Sequence, residues 1–513
     1  MSLIRASATI GILTLASRVL GFVRDMMIAS LLGAGMLSDA FLVAFKLPNF
    51  MRQLFAEGAA NAAFVPLYAG IRATEGEASA RKLSEEAQAG LTLLLLLVCV
   101  VAMIFMPQLM LILAPGFDAD PEKYALTITL TRITFPYLLF ISLVSLQGGI
   151  LNSVGKFAAV AATPIIMNVC LIGAMLILSP FTPTAAHALS VGVLFSGVAQ
   201  YLWLLYYCRK QGVSPRFIWP RMTPNMKKLL LLVAPATLGA GVTQINLMVN
   251  VIIASLIPGA VSILYYAVRI SELPFGVIGV AVSTALLPML SRQIREGNIS
   301  AALHSQNRAL ELSLIFGLPA TIAFMVIPYP IVMVIYEHGA FTAADSAATF
   351  KTLMAFALGL PPALVVKIFT STFYANHDTK TPVKIGIACV LINLFFNLVL
   401  MHLMRYVGLA FSSSIANWVN AIALGMVLHR RRLFVVDEIF IFRLKRIMTA
   451  SIVMGGALLV AYWLLAPHFS MGLLSKVIAL ILLIGIGKIV YVATLFFLGV
   501  LKPSQMREYF SRR

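Results

Sequence analysis

The chain has 513 residues, of which 60% are hydrophobic and 11% are charged, and it holds 38 Lys and Arg against 19 Asp and Glu. A soluble domain carries about 25% charged residues, so this composition excludes a water-soluble globular protein and indicates one whose solvent is the bilayer. A formal net charge of +19 is also typical of proteins that bind nucleic acid, but most cations here lie in short loops between apolar runs, as in multi-pass membrane proteins.

About fourteen segments are apolar and long enough to cross a bilayer, which takes about 20 residues per helix. We therefore predict an all-α integral membrane protein with about 14 transmembrane helices. We expect Pro48 and the polar stretch around Glu57 to interrupt the long second span. The predicted spans are 8–31, 36–72, 84–114, 124–152, 157–179, 185–208, 229–257, 261–291, 306–336, 346–375, 383–403, 407–429, 447–466 and 473–501.

The loops between these spans alternate between a basic set and a set poor in Lys and Arg. The basic set includes 209–228, 430–446 and the C-terminal tail, whereas the alternate set carries acids such as Asp118 and Glu337. Because Lys and Arg concentrate in cytoplasmic loops, we predict that the basic loops and both termini are cytoplasmic.

The sequence also contains an internal repeat. Ile28-Ala29-Ser30-Leu31 recurs 225 residues later as Ile253-Ala254-Ser255-Leu256, and Asn168 recurs near this offset as Asn393. The offset spans six predicted helices, so both copies would enter the membrane in the same direction and be related by an axis along its normal. We predict two pseudo-symmetric six-helix lobes, 1–222 and 223–440, followed by two additional helices and a basic tail in 441–513.

Ionisable residues inside the predicted spans concentrate in the first, second and eighth. An ionised group at the bilayer centre costs about 3 kcal/mol, so such groups usually face a bundle interior or a water-filled cavity. Spacings of seven residues, as from Ser17 to Arg24, place several of them on one helix face. We expect them to line a cavity between the lobes. The charged candidates are Arg18, Arg24, Asp25, Asp39, Lys46, Arg52, Glu57, Arg269 and Glu272.

The cations of this set outnumber the acids. An excess of positive charge in a partly dehydrated cavity favours an anionic guest, and guanidinium groups bind phosphate in a bidentate manner. A diphosphate would fit such a site. For the four acids, ion pairing that only fastens helices together is an open alternative.

Signals of catalysis are missing from the sequence. It contains no phosphate loop, no HExxH motif, and no Asp-rich pair of the kind that holds Mg²⁺ in membrane prenyltransferases. His377 and Asp378 read as a loop turn, and the four cysteines read as buried small hydrophobic residues. We therefore predict that the chain is not an enzyme and holds no metal or cofactor.

Several strings in the first two spans are specific to one family. Ser17-Arg18-Val19-Leu20-Gly21-Phe22-Val23-Arg24-Asp25, Phe45-Lys46-Leu47-Pro48-Asn49 and Phe55-Ala56-Glu57-Gly58-Ala59 resemble the N-terminal signature of the MurJ (MviN) lipid II flippases. The resemblance extends over essentially the whole chain. It implies the multidrug/oligosaccharidyl-lipid/polysaccharide exporter fold. It also implies movement of the undecaprenyl-diphosphate-linked peptidoglycan precursor, lipid II, from the cytoplasmic to the periplasmic leaflet of the bacterial inner membrane by alternating access.

The resemblance also implies which residues bind the substrate. The family's cavity residues map onto Arg18, Arg24, Asp25, Asp39, Arg52 and Arg269, with Ser17, Lys46, Glu57 and Glu272 in support. Relatives carry Asp just before the arginine of the eighth helix, where this chain has Val268. The expected partners are lipid II and membrane lipids, with other cell-wall synthesis proteins as further candidates and no nucleic acid.

Three other interpretations stay open from sequence. One is a related exporter of another polyprenyl-linked glycan or of drugs, although a drug exporter would need no excess of cations. A membrane-embedded glycosyl- or prenyltransferase would need metal-binding carboxylates that are missing here. A scaffold of the cell-wall machinery would have no use for buried cations, which are expensive in a membrane.

Overall fold

The structure is a computed structural model that describes residues 3–53 and 61–501, and it describes their side chains except at 3–8, 61–62, 234–243, 245–246, 276–281 and 283–284. The predicted site residue Glu57 lies outside the described residues. Within these ranges the chain is helical and contains no strand. The all-α prediction is confirmed.

Nineteen α-helices follow one another in the described chain, and most are joined by short turns. The helices are α1 Leu3–Leu32, α2 Met36–Arg52, α3 Asn61–Thr74, α4 Glu77–Ile104, α5 Met106–Leu113, α6 Pro121–Thr134, α7 Tyr137–Ser153, α8 Phe157–Ala161, α9 Thr163–Ile177, α10 Ala185–Lys210, α11 Pro224–Ser255, α12 Ala260–Arg295, α13 Ile299–Val326, α14 Pro328–Tyr336, α15 Ala343–Ala357, α16 Leu360–Ala375, α17 Lys380–Arg430, α18 Glu438–Leu465 and α19 Leu473–Phe497.

Several predicted spans consist of two helices each. The breaks lie between α4 and α5, α6 and α7, α8 and α9, α13 and α14, and α15 and α16. The first two of these breaks have counterparts in the second copy of the repeat, between α13 and α14 and between α15 and α16. Proline lies at the first or second position of α5, α9, α14 and α16, and Pro136 immediately precedes α7; the prolines inside the helices are Pro107, Pro164, Pro328 and Pro361. Proline lacks an N–H and disfavours helical geometry in the residue before it, which explains the recurring break.

Two predicted spans, 383–403 and 407–429, lie in the range α17, which consists of two helices that meet at a kink. Arg405 lies between them with non-helical angles, φ 51° and ψ −132°, and marks the kink. Eight stretches of the described chain are long and apolar enough to cross a membrane, or nine if the bent pair α15 and α16 forms one. Helices α1, α2 and α12, which carry the predicted site charges, are not among them. The number of fourteen crossings stays a prediction.

Pro48 does not interrupt its helix, contrary to our expectation, since α2 continues through it to Arg52. A proline inside a helix leaves the carbonyl four residues earlier without its usual donor. Here that carbonyl belongs to Ala44, and the hydroxyl of Thr134 donates a hydrogen bond to it at 2.9 Å. This side chain from α6 replaces the missing backbone donor, so α2 stays helical.

The described helices form two compact units, of which the first contains Met1–Ser262 and His338–Phe341. In this unit α10 packs on α7 and α9, α2 on α6, α1 on α9, and α11 on α3. The segment His338–Phe341 docks at the end of α1, where the N–H of Ala340 donates to the carbonyl of Ser30 at 2.7 Å. Gly339 has φ +59°, and a Cβ there would lie 2.3 Å from the Ser30 carbonyl oxygen, so only glycine fits this approach.

The second unit contains Ile263–Glu337 and Thr342–Arg513. Helix α18 packs on α13 and α19, and α17 packs on α15 and α16. Glu311 of α13 is buried and accepts hydrogen bonds from Arg308 and from Arg443 of α18, the latter at 2.7 Å. Asp437 caps the start of α18 and accepts from Arg308 at 3.0 Å. Helix α18 is therefore fastened to α13 by charge as well as by packing. The lobe boundaries at 222 and 440 stay predictions.

Candidate functional site

Arg24 lies in the C-terminal half of α1 and is only 8% exposed. Its Nε and one terminal nitrogen donate to Oδ1 of Asp25 at 3.0 and 2.7 Å, and the other terminal nitrogen donates to Oδ1 of Asn168 at 3.0 Å. Asp25 is also buried. The pair is held between α1 and α9, so the direction of the guanidinium plane is fixed by two separate partners.

Asn168 connects the ends of the seven-residue spacing seen in the sequence. Its side-chain amide donates to the backbone carbonyl of Ser17 at 3.0 Å, while its oxygen accepts from Arg24. Ser17 is half-buried, and Arg18 beside it is exposed. Ser17 and Arg24 therefore lie against the same amide on α9, as expected for residues two helical turns apart.

Asp39 is completely buried in a second cluster. Its carboxylate accepts hydrogen bonds from Lys123 Nζ at 2.6 Å, from the Ser262 backbone N–H at 2.8 Å and hydroxyl at 2.7 Å, and from the Gly259 N–H at 3.1 Å. Lys123 also lies 4.0 Å from the ring centroid of Phe117. One carboxylate thus joins α2, α6 and the first turn of α12.

Lys46 and Arg52 lie further along α2. Lys46 is exposed, and Arg52 is half-buried, with its Nε donating to Oδ1 of Asn49 at 3.2 Å. Two of the predicted site residues in this unit are carboxylates within the described residues, and each forms an ion pair: Asp25 with Arg24, and Asp39 with Lys123.

Arg269 and Glu272 lie on α12 in the second unit. Their closest charged atoms are 3.8 Å apart, and both side chains are substantially exposed, at 40% and 57%. A terminal nitrogen of Arg269 lies 3.4 Å from the Tyr265 hydroxyl, and the guanidinium lies 5.0 Å from that ring's centroid. An exposed ion pair at this distance contributes little to stability.

Four residues near the predicted site were missed by the analysis of the sequence: Lys123, Asn168, Ser262 and Lys367. Lys123 could have been noticed in the sequence, because it is a cation in a loop region that otherwise lacks Lys and Arg. Asn168 was noticed only as part of the repeat. Lys367 is exposed near the middle of α16, with Nζ 5.8 Å from the Phe275 ring centroid, and it adds a further cation to the second unit.

The loop before α17 behaves as a turn, as predicted. Asp378 accepts from the Thr381 hydroxyl and N–H and from Arg431, at 2.6, 2.9 and 2.6 Å. These hydrogen bonds, led by those from Thr381, hold the pKa of Asp378 well below its usual range. Among the described residues, no group of three or more His, Cys, Asp or Glu side chains is placed to hold a metal ion.

Comparison with known proteins gives one consistent family. The family model for "Lipid II flippase MurJ" matches residues 28–480. A Rickettsia prowazekii protein named "Probable lipid II flippase MurJ" is 39% identical over 504 residues, 98% of each chain. A Rhizobium meliloti protein of the same name is 40% identical over 519 residues, covering 100% of this chain and 97% of its own.

Solved structures agree with these relatives. A structure titled "Lipid II flippase MurJ, inward closed conformation" aligns with a TM-score of 0.80 at 27% identity, covering 96% of this chain and 99% of that one. A multidrug resistance MATE family transporter aligns with a TM-score of 0.65 at 16% identity over 81% of this chain and 94% of its own, which indicates a shared fold alone. The predicted exporter fold is thereby confirmed, and the chain belongs to the MurJ lipid II flippase family, whose members are transporters rather than enzymes.

Proposed function

We propose that this chain moves lipid II from the cytoplasmic to the periplasmic leaflet by alternating access, and that its cationic side chains hold the substrate's diphosphate. The family membership supports the substrate. The observation that carries the chemistry is the guanidinium of Arg24, which is buried and whose direction is fixed by Asp25 and Asn168. A guanidinium held in this way inside a membrane protein favours an anionic substrate group such as a phosphate.

The proposed diphosphate ligands are Arg18, Arg24, Arg52 and Arg269, with Lys46 as a further cation. Guanidinium groups suit this task because their donors match two phosphate oxygens at once. Ser17, Glu57 and Glu272 are proposed supporting residues, and Asp25 would orient Arg24. We infer that Asp39 acts by fastening α2 to α6 and α12, since its oxygens already accept four hydrogen bonds.

The proposal includes an arrangement in the membrane. We place the chain in the bacterial inner membrane with both termini in the cytoplasm, on the basis of its basic loops. The lobes 1–222 and 223–440 would be related by rotation about the membrane normal, with 441–513 adding two helices and the basic tail. Membrane lipids are the proposed surroundings, and other cell-wall synthesis proteins are candidate partners.

The direct test follows labelled lipid II in cells depleted of this protein and complemented with variants. Arg269→Ala should stop the arrival of lipid II in the periplasmic leaflet, because it removes a diphosphate ligand. Arg295→Ala is the matched control, since it removes an exposed cation from the end of the same helix and should leave transport intact. Normal transport by an abundant Arg269→Ala protein would contradict the proposed site. Normal transport in depleted cells without any complementing copy would contradict the function.

A further inference from the structure

The segment between α10 and α11, here called the basic strap (209–228), is unusual in its charge. It contains six cations and no acid: Arg209, Lys210, Arg216, Arg221, Lys227 and Lys228. All six side chains are exposed, and within the described part of the chain none of them forms an ion pair. The strap therefore presents uncompensated positive charge on its outer side.

The same segment exposes large apolar side chains. Phe217, Trp219 and Met222 are 73%, 80% and 71% exposed, whereas Pro215 and Met226 are buried, the latter in a core shared by α3, α4, α7 and α11. The strap thus has an inner side that packs and an outer side that combines aromatic and cationic groups. Exposed aromatic groups beside cations are unfavourable in water but typical of the membrane–water boundary.

The backbone of the strap is fixed to α4. The N–H of Arg216 donates to Glu85 at 3.2 Å, and the hydroxyl of Thr223 donates to the buried Glu86 at 2.5 Å. The Thr223 hydroxyl also accepts from the N–H of Met226, which caps α11. Because hydrogen bonds fix the backbone at Arg216 and the side chain of Thr223, the aromatic and basic side chains between these two residues extend outward from a fixed segment.

Aromatic residues at the end of α10 mark the depth of the strap. Tyr207 contacts both Trp203 and Tyr206, with ring centroids 4.9 and 5.3 Å apart, respectively. Trp and Tyr accumulate at the headgroup level of membranes. The strap begins within one helical turn of these aromatic residues and ends where α11 becomes apolar. We therefore infer that the strap lies at the boundary between membrane and water.

We propose that the basic strap is a binding surface for the headgroups of anionic phospholipids in the cytoplasmic leaflet. Phe217 and Trp219 would enter the headgroup region, and the six cations would contact lipid phosphates. Near an anionic surface each such cation strengthens attraction by about fivefold, so the strap would enrich anionic lipids around itself. This proposal depends on the cytoplasmic orientation but not on the identity of the transported substrate.

The test uses a variant in lipid nanodiscs that retains Trp219 as its only tryptophan. The other three are replaced by phenylalanine: Trp203→Phe, Trp418→Phe and Trp463→Phe. Trp219 fluorescence is measured with a small fraction of either anionic or zwitterionic lipid, brominated near the ester end of its acyl chains. We expect several-fold stronger quenching by the anionic lipid. The difference should disappear in Arg216→Gln/Arg221→Gln, and at about 1 M salt, where the Debye length falls to about 3 Å. The matched control retains only Trp463, which is 76% exposed on α18 of the second unit, outside the strap, and should not distinguish the lipids.

Equal quenching of Trp219 by both lipids would overturn the proposal. If aqueous acrylamide quenched Trp219 fluorescence and neither brominated lipid did, the proposal would also be overturned. That result would indicate a surface that is accessible to a soluble protein. Because Trp203 and Trp418 donate hydrogen bonds that Phe cannot, the single-tryptophan protein needs a second measurement. Native mass spectrometry of the chain with all four tryptophans should find fewer retained anionic lipids on Arg216→Gln/Arg221→Gln than on the unsubstituted chain. Equal retention would count against the proposal.

Discussion

The guanidinium of Arg24 is held on two sides before any substrate arrives. Asp25 accepts from two of its nitrogens and Asn168 from the third, and both contacts are buried. Such a group loses little freedom on binding a phosphate, which favours tight and directional recognition. The same contacts make substitution difficult to interpret, since removing Arg24 alone leaves the Asp25 carboxylate buried without its partner.

Arg24→Lys should therefore transport lipid II poorly. It keeps the charge but loses the fork, and a lost charge-assisted hydrogen bond weakens binding by roughly 10- to 100-fold. The decisive control is Arg24→Ala/Asp25→Ala, which removes both buried charges. We expect that double variant to be present in the membrane at normal levels and inactive in a lipid II accessibility assay. If it transports normally, the pair serves packing only.

Asp39→Asn should destabilise the protein rather than only inactivate it. Asparagine keeps an oxygen for Ser262 but leaves the Lys123 ammonium buried without a counter-charge, which costs about 3–5 kcal/mol. Thermal unfolding in detergent measures the loss. Asp39→Asn/Lys123→Met removes both charges and should recover most of the stability. An abundant, stable and inactive Asp39→Asn protein would instead show that the carboxylate acts in transport.

Sequence spacing predicted local neighbours at this scale but not distant ones. The seven-residue interval brings Ser17 and Arg24 to one side of α1, where Asn168 touches both. Nothing local could predict that Asp39 pairs with Lys123, 84 residues away, because that contact depends on how α2 packs on α6. The charged residues could be found from their positions inside apolar spans of the sequence, whereas their pairing depends on the fold.

At two internal prolines of this protein, a side chain from a neighbouring helix replaces the missing backbone donor. Pro319 lies inside α13, and the carbonyl it releases, that of Ile315, accepts a hydrogen bond from the Tyr491 hydroxyl of α19 at 2.5 Å. Thr134 performs the same task for the carbonyl released by Pro48. In each case the missing backbone bond becomes a link between two helices.

Tyr491→Phe should lower the free energy of unfolding by about 1–3 kcal/mol, because the Ile315 carbonyl is left buried without a donor. Pro319→Ala restores a backbone N–H that can reach the same carbonyl. The double variant should therefore lose less stability than the sum of the two single changes. A thermodynamic double-mutant cycle gives the coupling, and strictly additive effects would contradict this explanation.

Apolar length predicted where helices lie but not where they bend. Each predicted span is occupied by helix in its described residues, since an uninterrupted apolar run must be helical in a membrane. The breaks at Phe105 and Ile327 were not foreseen, because hydropathy does not register a change in helix direction. Pro48 was judged too disruptive, because the compensating Thr134 belongs to another helix.

Orientation is a property of the whole molecule and can be measured directly. In a background without native cysteines, Met222→Cys and Arg430→Cys should react with a membrane-impermeant thiol reagent only after permeabilisation, because both lie in basic loops. Ala119→Cys should react in intact cells, since it lies in the cation-poor set. Lys123 beside it does not alter this expectation, because Asp39 neutralises its charge. The reverse labelling pattern would invert the proposed topology.

The docking of His338–Phe341 on the end of α1 has a consequence for biosynthesis. The continuous part of the first unit ends at Ser262, and the four residues begin 76 positions later in the sequence, at His338. At a synthesis rate of about 5–20 residues per second, the ribosome adds the intervening chain in roughly 4–15 s. During that interval the Ser30 carbonyl lacks the Ala340 N–H. The first unit therefore emerges incomplete, and its last contact forms only after a large part of the second unit has been made.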